Sequence, residues 1–183
     1  LAVLLVESDF PGKESVITLI NTLMALPTVV VGLSVFAFFS RQGPLGELEL
    51  LFTPTAIVIG EFILAIPIVI ALSIAALRGV DPRVRETALT LGASRSGAAV
   101  RIILEAKYAV VAAILAGFAR VVAEVGSALI VGGNIRGYTR TLATAIALET
   151  GKGEFAFAIA LGLILILLSL ITNISLRVFT RRP

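Results

Sequence analysis

From Phe155 to Leu176 the chain runs FAFAIALGLILILLSLITNISL without one charged side chain. As a helix this segment is about 33 Å long at a rise of about 1.5 Å per residue, the thickness of a bilayer's hydrocarbon core. A membrane offers no water to the backbone, so such a run must satisfy its N–H and C=O groups internally, as a helix does. Three further apolar stretches follow the same rule: Val16–Ser40, Leu50–Leu77 and Tyr108–Val131. With 58% hydrophobic residues and a mean hydropathy of +1.06, the chain exceeds the apolar share of soluble domains. The expected fold is all-α, a polytopic transmembrane helical bundle formed by residues 1–183 as one domain. The opening LAVLLV lacks a basic leader and reads as the tail of a membrane helix whose beginning is missing, so the N-terminal transmembrane region is expected to be incomplete.

The 183 residues contain no cysteine and no histidine. Disulfides, zinc or iron–sulfur centres and nucleophiles activated by histidine are thereby excluded. Basic residues flank the apolar spans and do not cluster with aromatics, which argues against nucleic acid as a partner. Their asymmetry sets the expected orientation. Lys13, Arg78, Arg83, Arg85, Arg95, Arg101, Lys107, Arg177, Arg181 and Arg182 fall on one side, and Arg41, Arg136, Arg140 and Lys152 on the other. The richer side is expected to be cytoplasmic, together with the C-terminus, and GGNIRGYTR (132–140) to face outward.

Between the second and third spans the chain turns polar. Asp81-Pro82 is a helix-start signal, with aspartate as cap and proline at the first helical position. Val84, Ala88 and Leu91 then share one face, opposite Arg83, Glu86 and Thr90. Gly92 permits the backbone to leave the helix, and Ser94 can cap a second short helix running into Arg101 and Ile102. The expectation is a helix–turn–helix of small and charged residues outside the membrane.

Glu86-Thr87-Ala88, Gly92 and Ile102-Ile103-Leu104 resemble the "EAA" loop of ABC importer permeases, E-A-A-x3-G-x9-I-x-L-P, with Thr87 and Glu105 departing from it. The segment ILAGFARVVAEVGSALIVGGNIRGYTRTLATAIALETGKGEF (114–155) resembles the oxyanion branch of these permeases. Its VGGNIRGYTR and TAIALETGKGEF, with NTLMALPTVVVGL (21–33) and LFTPTAIVI (51–59), look most like the tungstate type. The resemblance implies a type I (MetI-like) permease whose residues 81–105 form a cytoplasmic coupling helix docking on an ATP-binding cassette subunit. Glu86, Ala88, Gly92, Ile102 and Leu104 would be its coupling residues. It further implies an extracytoplasmic solute-binding protein, a second permease copy making a homodimer, and tungstate import, with molybdate and sulfate as alternatives. Such a subunit is no enzyme by itself and has no catalytic residue. No cofactor is expected on this chain; ATP and Mg would sit on the partner ATPase.

The sequence has no G-x-x-x-x-G-K-[ST] pattern: Gly12-Lys13 precedes Glu14, and Gly151-Lys152 precedes Gly153. Within the membrane, Arg120 and Glu124 stand four residues apart, where they can pair on one helix face. Buried ionisable groups point to function or to helix pinning; the functional reading is that Arg120 helps line an anion passage. Asn134, Thr139 and Arg140, with Gly137, belong to an outward loop read as an outer gate or a surface for the binding protein. Glu61 is expected to find a hydroxyl or an arginine on another helix, and Pro27 and Pro67 to kink their spans. Thr141–Glu149 is too short to span. An ATP-independent transporter relaying charge through Glu61, Arg120 and Glu124 is the second reading. A hydrolase with a serine–lysine dyad through Lys107 or Lys13 is a remote third.

Overall fold

The computed structural model describes residues 1–180; Arg181 and Arg182 of the C-terminal basic group, and the side chain of Arg177, lie outside the described residues. Ten α-helices and one 3-10 turn follow one another, and no strand occurs among the described residues. They are α1 (Ala2–Glu7), α2 (Lys13–Leu23), α3 (Thr28–Phe39), α4 (Pro54–Arg78), α5 (Pro82–Thr90), α6 (Arg95–Glu105), α7 (Lys107–Val122), α8 (Gly126–Gly132), α9 (Leu142–Gly151) and α10 (Phe155–Thr180). Two of them, α4 and α10, are long and apolar enough to cross a membrane singly. The count reaches four if α2 with α3, and α6 with α7, are each one broken span. Along α10, Phe157, Ile159, Leu163, Ile166 and Leu170 are exposed, the condition of a lipid-facing helix.

Two of the expected spans are not continuous. The stretch Val16–Ser40 breaks between Leu23 and Thr28, because Pro27 supplies no N–H and takes the extended cap position before α3. The stretch Tyr108–Val131 breaks at Ala123–Val125, and α8 begins again at Gly126. By contrast α4 continues through Pro67, and its expected start moves from Leu50 to Pro54, the first helical position, where a missing N–H costs nothing.

The chain divides into two compact units. One holds 1–24, 67–117 and the end of α10. Its cores join Leu5, Ile17, Ile20 and Ile74 in one cluster, and Leu77, Ile102 and Ala106 with Val3, Val6, Val80 and Val110 in another. The other unit holds 25–66 and 118–174, with Val31, Val35, Phe39, Ala56 and Val131 at its centre. There α8 is gripped at positions without side chains. A Cβ on Gly32 of α3 would lie 2.9 Å from the Ser127 Cα, one on Gly60 of α4 would lie 2.7 Å from Ser127 Oγ, and one on Gly132 would lie 2.6 Å from Ile57. Small residues allow helix backbones to approach where no hydrophobic drive exists. Phe52 N–H donates to Val131 O at 2.8 Å, and this tie holds Phe52 at φ 63°, a strained value for a bulky residue.

Candidate functional site

In the first unit, the polar interruption folds as a capped helix pair. Asp81 Oδ1 accepts from Arg83 N–H at 2.9 Å, and Pro82 opens α5. At its far end Gly92 adopts φ +85°. Gly92 N–H then reaches Leu89 O, and Ala93 N–H reaches Ala88 O, each at 3.0 Å. These two bonds are the Schellman closure of a helix C-terminus. Ser94 Oγ accepts from Gly97 N–H at 3.1 Å and starts α6. One expected face is corrected: Val84 and Ala88 are half-buried, but Leu91 is 82% exposed, because the chain has already left the helix when it reaches that residue. Glu86, Thr87 and Gly92 are exposed as well. Leu104 is half exposed, whereas Ile102 is buried in the core and anchors α6. Between the helices lies an open groove of about 700 Å³, lined by the apolar Val84, Ala88 and Leu104 and by the charged Arg83, Arg101, Lys107 and Glu105.

A contact not foreseen from the sequence fixes α5 from behind. Arg85 Nε donates to Glu7 Oε2 at 3.1 Å, across 78 positions of chain. Neither residue carries a local signal that would have paired them. Because Glu7 is mostly shielded, the pair is worth more than an exposed one. Glu7→Arg and Arg85→Glu are each expected to lower transport several-fold with the chain still inserted, and the double exchange to restore it. Uptake by the three variants measures this, and an exchange no better than the single changes refutes a role for the Glu7–Arg85 pair.

In the second unit the membrane charges do more than pair. Arg120 Nη1 donates to Glu124 Oε2 at 2.9 Å, as the four-residue spacing predicts. Glu124, however, stands beyond the end of α7. Its other oxygen, Oε1, accepts from Gly126 N–H at 2.9 Å and Ser127 N–H at 3.4 Å. The carboxylate therefore caps the start of α8, which is why the expected continuous span breaks here. The signal was the order acid, any residue, glycine, serine within an apolar run. The Glu124 side chain is 5% exposed and that of Arg120 52%. Glu61 departs from expectation: among the described residues neither of its buried oxygens has a hydrogen-bond partner, and neither has the buried Ser127 Oγ.

The candidate loop residues come together. Thr139, buried, donates through Oγ1 to Gly132 O and accepts from Ile135 N–H at 2.9 Å. Arg140 clamps Asn134 twice, from Nε to the side-chain oxygen and from Nη2 to the backbone oxygen, both at 3.2 Å. Gly133 and Gly137, at φ +68° and +75°, make the turns. Thr141 and Thr144 then form a capping box that begins α9. Asn134, Thr139 and Arg140 thus support the loop, and Ile135, Arg136 and Tyr138 are left exposed at its tip; the sequence reading had not singled out these three. Among the described residues no three acidic side chains gather as a metal site requires.

Broken apolar helices, a capped polar helix pair and an ion pair within an apolar unit are the make-up of a multi-pass membrane component. The chain belongs to the family of binding-protein-dependent transport system inner membrane components, whose model matches residues 5–183. It is 45% identical over 149 residues to a protein of Haloferax volcanii named as a probable anion ABC transporter permease, covering 79% of this chain and 64% of that one. It is 42% identical over 144 residues to the tungstate uptake system permease TupB of Campylobacter jejuni, covering 79% and 60%. With the molybdenum transport system permease ModB of Escherichia coli it shares 32% over 152 residues, covering 78% and 66%. The chain spans about three-fifths of the length of the first two relatives. By family it is therefore a membrane component of a binding-protein-dependent transport system, with several helices apolar enough to cross a membrane.

Proposed function

We propose that this chain is the membrane-spanning subunit of an ATP-driven importer that carries tungstate into the cytoplasm. The observation that carries the coupling part is the α5–α6 pair, capped at both helix starts, whose exposed Glu86, Thr87 and Gly92 stand beside a groove lined by apolar residues, three cations and Glu105. Such a surface suits a partner presenting an apolar knob and acidic side chains. Residues 81–105 are thus read as the coupling loop, with Glu86, Ala88, Gly92 and Leu104 meeting the ATPase and Ile102 passing its motion into the first unit's core. An extracytoplasmic binding protein delivering the anion would meet the tip formed by Ile135, Arg136 and Tyr138, above the support supplied by Asn134, Thr139 and Arg140. Arg120, held by Glu124, is read as part of the anion path. A second copy would complete the pore, and ATP with Mg would be bound by the ATPase.

The names of two relatives above 40% identity, one an anion and one a tungstate permease, support the substrate. Molybdate or sulfate is the alternative, supported by the molybdenum relative at 32%. Labelled tungstate uptake by vesicles containing the assembled importer is expected to yield to molybdate only in excess and to ignore sulfate. Equal competition by either anion removes the tungstate assignment. Uptake that needs neither ATP nor the ATPase subunit favours the secondary transporter instead.

A further inference from the structure

Glu61 has no task in the path described so far. It follows Gly60 on α4, where the Ser127 hydroxyl packs so closely that a Cβ would lie 2.7 Å from Oγ. Both Glu61 oxygens are closed off from their surroundings and unpartnered among the described residues. Keeping a carboxyl group in that condition is costly, which calls for another state in which the group is used. Ser127, whose hydroxyl faces Gly60, also gives its N–H to Glu124 Oε1 at 3.4 Å, and Glu124 Oε2 holds Arg120, so Glu61 stands on α4 beside the segment that carries this ion pair.

The two neighbours are not bound to each other on equal terms. Arg120 gives Glu124 a bond from Nη1 alone, and guanidinium has five donors in a planar fork. Glu124 does not depend on Arg120, since its Oε1 keeps the Gly126 and Ser127 N–H groups. Arg120 can leave Glu124 without stranding that carboxylate, and α8 keeps its cap when it does.

We propose that Glu61 is the second acceptor of Arg120, and that the guanidinium exchanges between Glu124 and Glu61 as the permease changes state. Glu61 is then a positioning residue: it acts through Arg120 and does not touch the transported anion. Two acceptors solve a problem that one does not. A bare arginine in a low-dielectric passage would hold a dianion too tightly to release it, and transit requires binding weak enough to leave. An arginine handed from one carboxylate to another attracts the anion in passing and is neutralised at both ends of the exchange. This inference requires membership of the permease family and not the identity of the anion.

The test uses the full-length permease assembled with its ATPase and binding protein, carrying Glu61→Gln, Arg120→Gln or both. Uptake is measured with whichever of labelled tungstate, molybdate or sulfate the wild-type complex carries, and the melting temperature of the purified complex is measured alongside. Glu61→Gln is expected to raise the melting temperature by about 2–4 °C, because it removes an unpartnered acid, while slowing uptake about tenfold. In the Arg120→Gln background the same change should alter uptake less than about twofold, since its target is gone. If Arg120→Gln leaves too little uptake to compare, the melting temperature decides: in that background Glu61→Gln should still raise it, because the unpartnered acid is removed either way. A lower melting temperature in Glu61→Gln overturns the proposal, because Glu61 would then already be bonded in the resting state. Unchanged uptake, or an equal loss in both backgrounds, overturns it too. The melting measurement needs no transported anion, so it stands even where the tungstate reading fails.

Discussion

Gly92→Val is expected to abolish import and to release the ATPase while the chain remains folded in the membrane. Gly92 sits at φ +85° with nothing within 4 Å of the place a Cβ would take, so the backbone and not lack of space demands glycine. A β-branched residue is a genuine outlier in the left-handed region, at about 1–2 kcal/mol. To relax, the chain must give up the Gly92–Leu89 and Ala93–Ala88 bonds that close α5, at about 1 kcal/mol each. The turn is exposed, and α6 retains its own Ser94 cap, so the damage stays local. It removes the fixed angle at which Glu86, Thr87 and Leu91 are presented, and a coupling element that can swing freely cannot transmit a push. Gly92→Asn is the control, because asparagine tolerates this conformation; it should retain most of the uptake. The measurement is recovery of the ATPase on a tagged permease, with anion uptake beside it. A Gly92→Val chain that holds the ATPase and transports at the wild-type rate would remove the coupling assignment. Glu86→Lys probes the same surface by charge alone, with the backbone untouched.

What could be read from the residues depended on the range of the interaction. The caps at Asp81 and Ser94 and the exit at Gly92 join groups two to five positions apart, and the structure forms all of them. The pairing of Arg120 with Glu124, four apart, was equally readable. Tertiary ties were not. Nothing near Arg85 indicates Glu7, and Leu91 was placed on a helical face it has already left. The two broken spans failed for another reason. Apolar periodicity identifies what a segment can be buried in, and a membrane helix and a broken one bury the same residues. Pro27 was visible and was read as a kink, while the structure makes it a full break. The four-residue spacing marks Glu124 as a partner for a cation, but two of its three hydrogen bonds are to the backbone of the next helix. Asn134, Thr139 and Arg140 lie in one loop, but their part in supporting it emerges only from the Arg140–Asn134 bonds and those of Thr139 to Gly132 and Ile135.

That second role of Glu124 sets the other large effect. Glu124→Ala should lower the melting temperature of the assembled permease far more than Arg120→Ala, although the two residues form one ion pair. Removing Glu124 strands the Gly126 and Ser127 N–H groups at once, next to a membrane that supplies no water to replace it. Each buried N–H left without an acceptor costs about 1–3 kcal/mol, while the half-exposed Arg120 adds little. Removing Arg120 leaves Glu124 with both backbone bonds, and with Arg120 half exposed the loss is close to that of a surface pair, below about 1 kcal/mol. Glu124→Gln falls between them, since its amide oxygen can still cap α8 without the charge. The consequence spreads because of where α8 lies. Ser127 is pressed between Gly32 and Gly60, Val131 O holds Phe52, and Gly132 O receives Thr139. A cap lost at Gly126 therefore loosens the 132–140 loop that begins six residues further on, and uptake should fall with stability. Equal melting losses for Glu124→Ala and Arg120→Ala would mean that the ion pair, and not the cap, holds this corner. In that case α8 would have to be fixed by its glycine contacts alone, and Glu124→Gln would be as damaging as alanine.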